Sequence, residues 1–259
     1  MKTLPDVMVA PNGARRKKSD HPQLPITIEE IVATATECFN EGAGALHAHV
    51  RNAEQNHVLD AGLYRELTSE MSSAIPDMHV QITTEAVGIY TPDQQRQLVK
   101  DVMPKAVSVS LAEMLSDGDM EAAGSFYTFA EEAEIAVQHI LYSSDELRHF
   151  LQLADDGFFR SENHQLLFVL GRYSQNQQSQ ISDLTPFIDT LNQGTETYDW
   201  AVCAFGHNET ACALKAFELG GKCRVGFENS LWNDDGGIAK NNAERVAEII
   251  RKRSNETLS

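Results

Sequence analysis

Basic residues are scarce in this 259-residue chain: 21 Lys and Arg stand against 38 Asp and Glu, a formal net charge of −17. That balance argues against nucleic acid as a partner, because phosphate backbones are held by clustered positive charge. An anionic small molecule could approach only through a locally positive cleft. Cysteine is scarce too. Cys38, Cys203, Cys212 and Cys223 form no C-x-x-C pair, and three of them lie in runs that read as element interiors. They read as buried free thiols of a reducing compartment. No apolar run approaches the ~20 residues needed to span a bilayer, and Met1 to Asp6 lacks the apolar centre of a signal peptide. A cytoplasmic protein with no membrane partner is therefore expected. No linker or low-complexity stretch divides the chain, since polar Gln175 to Ser182 is only the length of an active-site loop. Residues 1–259 read as a single domain. No G-x-G-x-x-G follows the first strand, which disfavours an open dinucleotide-binding sheet.

What the chain has is alternation, with 42% hydrophobic residues, ample for a packed core. Apolar, β-rich runs fall at Asp6 to Ala10, Gly44 to Arg51, His79 to Thr83 and Ala106 to Ser110. Four more fall at Ile135 to Tyr142, Leu166 to Leu170, Trp200 to Ala204 and Cys223 to Phe227. Helix-like segments separate them. Thr27, three residues before Glu30, opens one as an N-cap; Thr91-Pro92-Asp93 and Ser144-Asp145-Glu146 open others. Gly220-Gly221 closes the helix from Glu209 to Leu219, and an amphipathic helix from about Asn241 to Arg253 is the last. Strand–helix alternation implies a parallel sheet with crossover helices. Eight such units imply closure into a (β/α)8 TIM barrel.

Residues two apart on a strand share a face, so His47 and His49 project side by side, their Cα atoms roughly 6.6 Å apart. Two neutral imidazoles so placed can converge on one divalent cation, and the pair reads equally as two unligated strand histidines. Near the other end, Arg224, Gly226 and Glu228 share one face of the eighth strand, with Glu228 at its carboxyl end. In a parallel barrel all such ends meet at one mouth, where chemistry is built. Two imidazoles and a carboxylate suit Zn²⁺ or a similar divalent cation and leave positions open for substrate. Glu228 has a plainer use as a partner for Arg224, and both uses are compatible.

The stretches Val9-Ala10-Pro11-Asn12-Gly13-Ala14, Leu24-Pro25-Ile26-Thr27, His47-Ala48-His49-Val50-Arg51 and Gln81-Ile82-Thr83-Thr84 carry a resemblance. So do Phe168-Val169-Leu170-Gly171 and Gly220-Gly221 through Glu228. In order and over nearly the whole chain, they resemble the β-keto acid cleavage enzymes, the family of 3-keto-5-aminohexanoate cleavage enzyme. The resemblance implies a zinc-dependent TIM barrel that assembles as an oligomer, here a homodimer or homotetramer. It also implies acyl exchange between a β-keto acid and acetyl-CoA, giving acetoacetate and a new acyl-CoA. His47, His49 and Glu228 would hold the metal. Arg224 would hold a substrate carboxylate or stabilise negative charge, and Thr83 and Ser108 would supply pocket hydroxyls.

The chain departs from the family's pattern at the acid–base and thioester positions. His139 stands where the family has an acidic residue on the fifth strand, Asn229 where it has an aspartate, and Arg15 where it has a glutamate. The loop Arg172-Tyr173-Ser174-Gln175-Asn176 has no glycine where the family's is glycine-rich. An amide cannot take a proton at neutral pH, so Asn229 is no base. His139 is the expected proton acceptor, on the argument that Val137 and Leu141 make its face the inward one. Period two also allows Gln138, Ile140 and Tyr142 to point inward. Arg15, Asn229, Gly171 and His207 are the substrate-binding candidates; His207 reads equally as a solvated loop histidine. Glu85 and Glu113, just past strand ends, could restore the acid–base set. The expected function is metal-dependent cleavage or acyl exchange of a β-keto acid with a CoA thioester. The alternatives are a CoA-independent metal-dependent aldolase or lyase, and a catalytically silent metal-binding barrel.

Overall fold

The computed structural model describes residues 3–161 and 163–257. Among them, eight parallel strands close into a barrel in sequence order. They are β1 (Val7–Val9), β2 (Ala45–Ala48), β3 (His79–Thr83), β4 (Ala106–Ser110), β5 (Ala136–Leu141), β6 (Gln165–Leu170), β7 (Asp199–Ala204) and β8 (Lys222–Val225). Between and after them run α1 (Ile28–Asn40), α2 (Ala61–Ala74), α3 (Pro92–Val102), α4 (Leu111–Met114), α5 (Met120–Glu132), α6 (Ser144–Asp155), α7 (Thr185–Leu191), α8 (Glu209–Glu218) and α9 (Asn242–Thr257). The alternation read in the sequence is thus a (β/α)8 TIM barrel.

Most of the core lies outside the barrel wall. Val7, Leu46, Ile82, Val107, Phe168 and Val202 point outward into a continuous apolar layer with the helices, meeting fully buried Ile31, Leu67 and Val99. Each such side chain taken from water contributes about 1.5–3 kcal/mol. The barrel interior is a smaller apolar plug of Met8, Ala45, Leu167, Val169, Ala201 and Cys203. Above that plug the inward positions turn polar: His47 lies beside Gln81, and Ser108 beside Gln138, in register.

The chain leaves ideal geometry where the site begins. β1 ends at Val9, and the side chain of Asn12 then takes over as a strand partner: its Oδ1 accepts from the His49 N–H at 3.2 Å and its Nδ2 donates to the His49 carbonyl at 2.8 Å. β8 ends at Val225 because Gly226 adopts φ +135°, and a Cβ there would lie 2.6 Å from the Ala10 carbonyl oxygen. Only glycine fits that conformation and approach. His49 and Glu228 consequently sit just past their strands rather than on them. Thr27 caps α1 in a reciprocal capping box with Glu30, as its spacing implied. Elements also differ from the sequence expectation: β2 stops at Ala48 and β8 at Val225, short of the runs read for them, and a short helix, α4, follows β4 directly.

Candidate active site

His47, His49 and Glu228 converge at the carboxyl end of the barrel, their ligand atoms all within 4.8 Å of one another. His47 Nε2 and His49 Nε2 are 3.3 Å apart, and each lies 3.6 Å from a different oxygen of Glu228. Gly13 packs against this carboxylate so closely that a Cβ would stand 2.5 Å from Glu228 Cγ.

The proton positions follow from two backbone carbonyls, which can only accept. Gln138 Nε2 donates to the Leu166 carbonyl at 3.4 Å, so its Oε1 accepts from Gln81 Nε2 at 3.0 Å. Gln81 Oε1 therefore accepts from His47 Nδ1–H at 2.8 Å, which leaves the lone pair of His47 on Nε2. On the other side, His57 Nε2 donates to the Glu85 carbonyl at 3.0 Å, so its Nδ1 accepts from His49 Nδ1–H at 3.3 Å. With its proton on Nδ1, His49 likewise presents a lone pair at Nε2. Two lone pairs facing each other across 3.3 Å, with a carboxylate beside them, repel unless a cation lies between them. The donor set therefore fits a divalent ion. Burial, with Arg224 adding to it, holds the His47 imidazolium well below its ordinary pKa, so the ring is neutral and ready to ligate. Burial opposes ionisation of Glu228, yet its carboxyl stays well below the usual range, with the Arg224 guanidinium the largest opposing influence.

A narrow cleft opens over these side chains, lined further by Thr83, Glu85, Tyr142, Arg172, Phe205 and Arg224. Arg224 donates through Nη2 to Glu228 Oε1 at 3.4 Å, whereas its buried Nε and Nη1 meet no partner among the described residues. Arg172 pairs with Glu85 at 3.1 Å and lies over the Phe205 ring, 5.2 Å from its centroid. Tyr142 is pushed well above its ordinary pKa, by burial first and then by Glu85 and Glu113, so its phenol stays a donor.

The other expected site residues divide. Thr83 lines the cleft; Ser108 lies beneath it, fully buried, with Oγ 3.5 Å from Thr83 Oγ1. Gly171 sits on the adjoining groove that runs out past Arg172 and Tyr173. His139 is not in the cleft. It points out through the barrel wall into an aromatic cage of Tyr127, Phe150, Phe159 and His164, with ring centroids 4.7 to 5.8 Å away. Val137 and Leu141 share that outward face, while Ile140 and Tyr142 line the cleft. The apolar stripe of a strand in this barrel faces the helices, the larger apolar surface, and the inference from apolar companions to an inward face fails for that reason. Asn229 is also away from the cleft: fully buried, it donates to the Arg224 carbonyl at 2.9 Å and to Glu209 Oε1 at 3.2 Å, bracing the backbone beneath Arg224. Arg15 is exposed and does not line the cleft; its neighbour Arg16 turns in to donate to the carbonyls of Phe227 and Asn229. His207 is exposed, its ring against Trp232 at 4.1 Å between centroids. Arg172 and Tyr142 as cleft residues, and Asn12, Gln81 and His57 as orienting ones, were missed. The other parity of β5 pointed to Tyr142, and Gln81 lies in a matched motif, but nothing local marked His57.

The model of the family described as β-keto acid cleavage enzyme matches residues 7–256. The chain is 25% identical to a 3-keto-5-aminohexanoate cleavage enzyme of Fusobacterium nucleatum subsp. nucleatum, over 92% of this chain and 87% of that one. It is 23% identical to a 3-oxoadipate:acetyl-CoA acetyltransferase of Cupriavidus necator, over 94% and 86% respectively. Among solved structures, apo ObcA superposes with a TM-score of 0.74 at 17% identity; the match covers 91% of this chain but 63% of that one, and shows the barrel fold alone. Near-complete coverage by the family model is decisive, and the chain belongs to the β-keto acid cleavage enzyme family of TIM-barrel enzymes.

Proposed function

We propose that this enzyme carries out zinc-dependent acyl exchange between a β-keto acid and acetyl-CoA, yielding acetoacetate and a new acyl-CoA. The observation that carries the reading is the convergence of two Nε2 lone pairs and a carboxylate beside a buried guanidinium with two free donors. The relatives' names support the keto-acid and acetyl-CoA halves of the reaction. His47, His49 and Glu228 would hold the ion, which when bound sets positive charge against the ketone and carboxylate oxygens of the substrate. Arg224 turns its free Nε and Nη1 donors to the substrate carboxylate, a charge-assisted pair in a buried setting. Thr83 and Tyr142 offer hydroxyls to the same oxygens, and Ile140, Val169 and Phe205 keep water from the reacting carbon.

Proton transfer falls to Glu85. It lines the cleft, with one oxygen on Arg172 and the other 3.9 Å from His49 Nδ1. Glu113, its neighbour, has Oε2 committed to the Ala86 N–H and the Gln95 amide. Glu85 takes a proton from the carbon between ketone and carboxylate, and Arg172 holds it in place. The protein is read further as a cytoplasmic homo-oligomer, dimer or tetramer. Four buried free thiols support a reducing compartment, and exposed Ile89, Tyr173 and Ile238 support further burial of apolar surface on assembly. Among the described residues no helix is long and apolar enough to cross a membrane.

The test is to incubate zinc-loaded protein with a panel of β-keto acids, with and without acetyl-CoA, and to identify products by mass. Acyl-CoA and acetoacetate should form together, only with acetyl-CoA, and disappear when a chelator strips the protein. Cleavage independent of acetyl-CoA would instead establish a CoA-free lyase, the reading favoured by the glycine-free loop at Arg172 to Asn176. No turnover of any keto acid would leave the silent barrel.

A further inference from the structure

We propose that His57 is a positioning residue of the metal centre: it fixes the tautomer of His49 so that the Nε2 lone pair meets the ion. This rests on the metal reading above and adds a residue outside the ligand set. His57 enters from beyond the site, on a tight loop closed by an antiparallel bridge between Arg51 and His57. Its ring is buried, 4.8 Å from the His49 ring centroid and inclined at 64°, with Tyr90 on its other side at 6.3 Å. The two nitrogens have unequal partners. Nε2 faces the Glu85 carbonyl at 3.0 Å, which obliges it to carry the proton. Nδ1 is then an acceptor, 3.3 Å from His49 Nδ1, and the proton of His49 is drawn to that side.

Gln81 does the same for His47 through a side-chain amide. The two ligands are therefore oriented by two independent hydrogen-bond relays, each ending on a main-chain carbonyl of a different strand or loop. Without His57, His49 could place its proton on Nε2, where it would point at His47 and Glu228 and block ligation. Groups hydrogen-bonded to the far nitrogen of a ligating histidine set its orientation and basicity, and their loss commonly weakens metal binding about 10–100-fold.

The experiment measures zinc affinity of metal-stripped protein by competition with a chromophoric chelator, for wild type, His57→Phe and His57→Gln. The phenylalanine ring fills the space without an acceptor; the glutamine amide can accept from His49 and donate to the Glu85 carbonyl. We expect affinity to fall about 10–100-fold in His57→Phe and to stay within a few-fold of wild type in His57→Gln. A purely structural role would move both variants alike, and that outcome, or wild-type affinity in His57→Phe, overturns the assignment while the metal reading stands. Failure of wild-type protein to bind zinc overturns both. A second measurement does not depend on any variant folding: ¹⁵N-detected imidazole spectra of metal-free wild type should show His49 with a protonated Nδ1 and an unprotonated Nε2. The opposite tautomer overturns the proposal.

Discussion

Glu85 and His139 show at single residues how position decides chemistry. Glu85 lies in the cleft against Arg172, and His139 lies behind the wall in an aromatic cage. Glu85→Gln should lower kcat by about 10²–10⁴, the usual span for a general base, and leave zinc content unchanged. Equal activity in that variant would send the search to Glu113. His139→Gln, by contrast, should leave the pH dependence of kcat as it is. Its effect belongs to stability. Burial, aided by His164, holds the His139 imidazolium well below the ordinary value of 6.5. Below about pH 6.5 the unfolded chain therefore binds a proton there that the folded chain does not, and stability falls as pH drops. In chelator-treated protein, His139→Phe should reduce that slope, by up to about 1.4 kcal/mol per pH unit near pH 5 and about half that at pH 6.5, measured by urea unfolding across that range. An unchanged slope would mean that His139 takes up its proton in the folded state.

Single elements account for what was legible in the sequence and what was not. Strands β3 and β4 and helix α6 lie where local signals put them, because hydrophobic period and N-cap chemistry are local properties. The facing of β5 was not legible. Both of its faces are buried, so the alternation that reveals an exposed face is absent, and Val137-His139-Leu141 competes on equal terms with Gln138-Ile140-Tyr142. The convergence of His47, His49 and Glu228 could be read because they sit at strand ends that any closed barrel brings together, whereas His57 arrives by a loop whose path depends on tertiary contacts. At β8 the consequence is testable. Gly226→Ala forces a Cβ into the Ala10 carbonyl at φ +135° and must shift the turn that carries Glu228. Zinc affinity should drop at least 10-fold, with stability lower by about 1–3 kcal/mol. Normal affinity in this variant would show that the turn tolerates the displacement.

For the whole molecule, charge and assembly set the terms. Within a chain of net charge −17, the cleft offers an anionic substrate the guanidiniums of Arg172 and Arg224, but Glu85, Glu113 and Glu228 offset them in the same lining, so net attraction there would depend on the charge of a bound cation. Light scattering should give the mass of a dimer or tetramer of the 28.7 kDa chain; a monomer at micromolar concentration would refute the oligomeric reading. The paired relays behind the two histidines bear on something else, the portability of the centre. Gln81, Gln138 and His57 contribute no ligand atom, yet they decide which edge of each imidazole is open. Moving the three ligands alone onto another barrel would carry the right atoms with unassigned protons. The smallest transplantable unit here is six side chains and two main-chain carbonyls, contributed by four strands and by the loops after β2, β3 and β8.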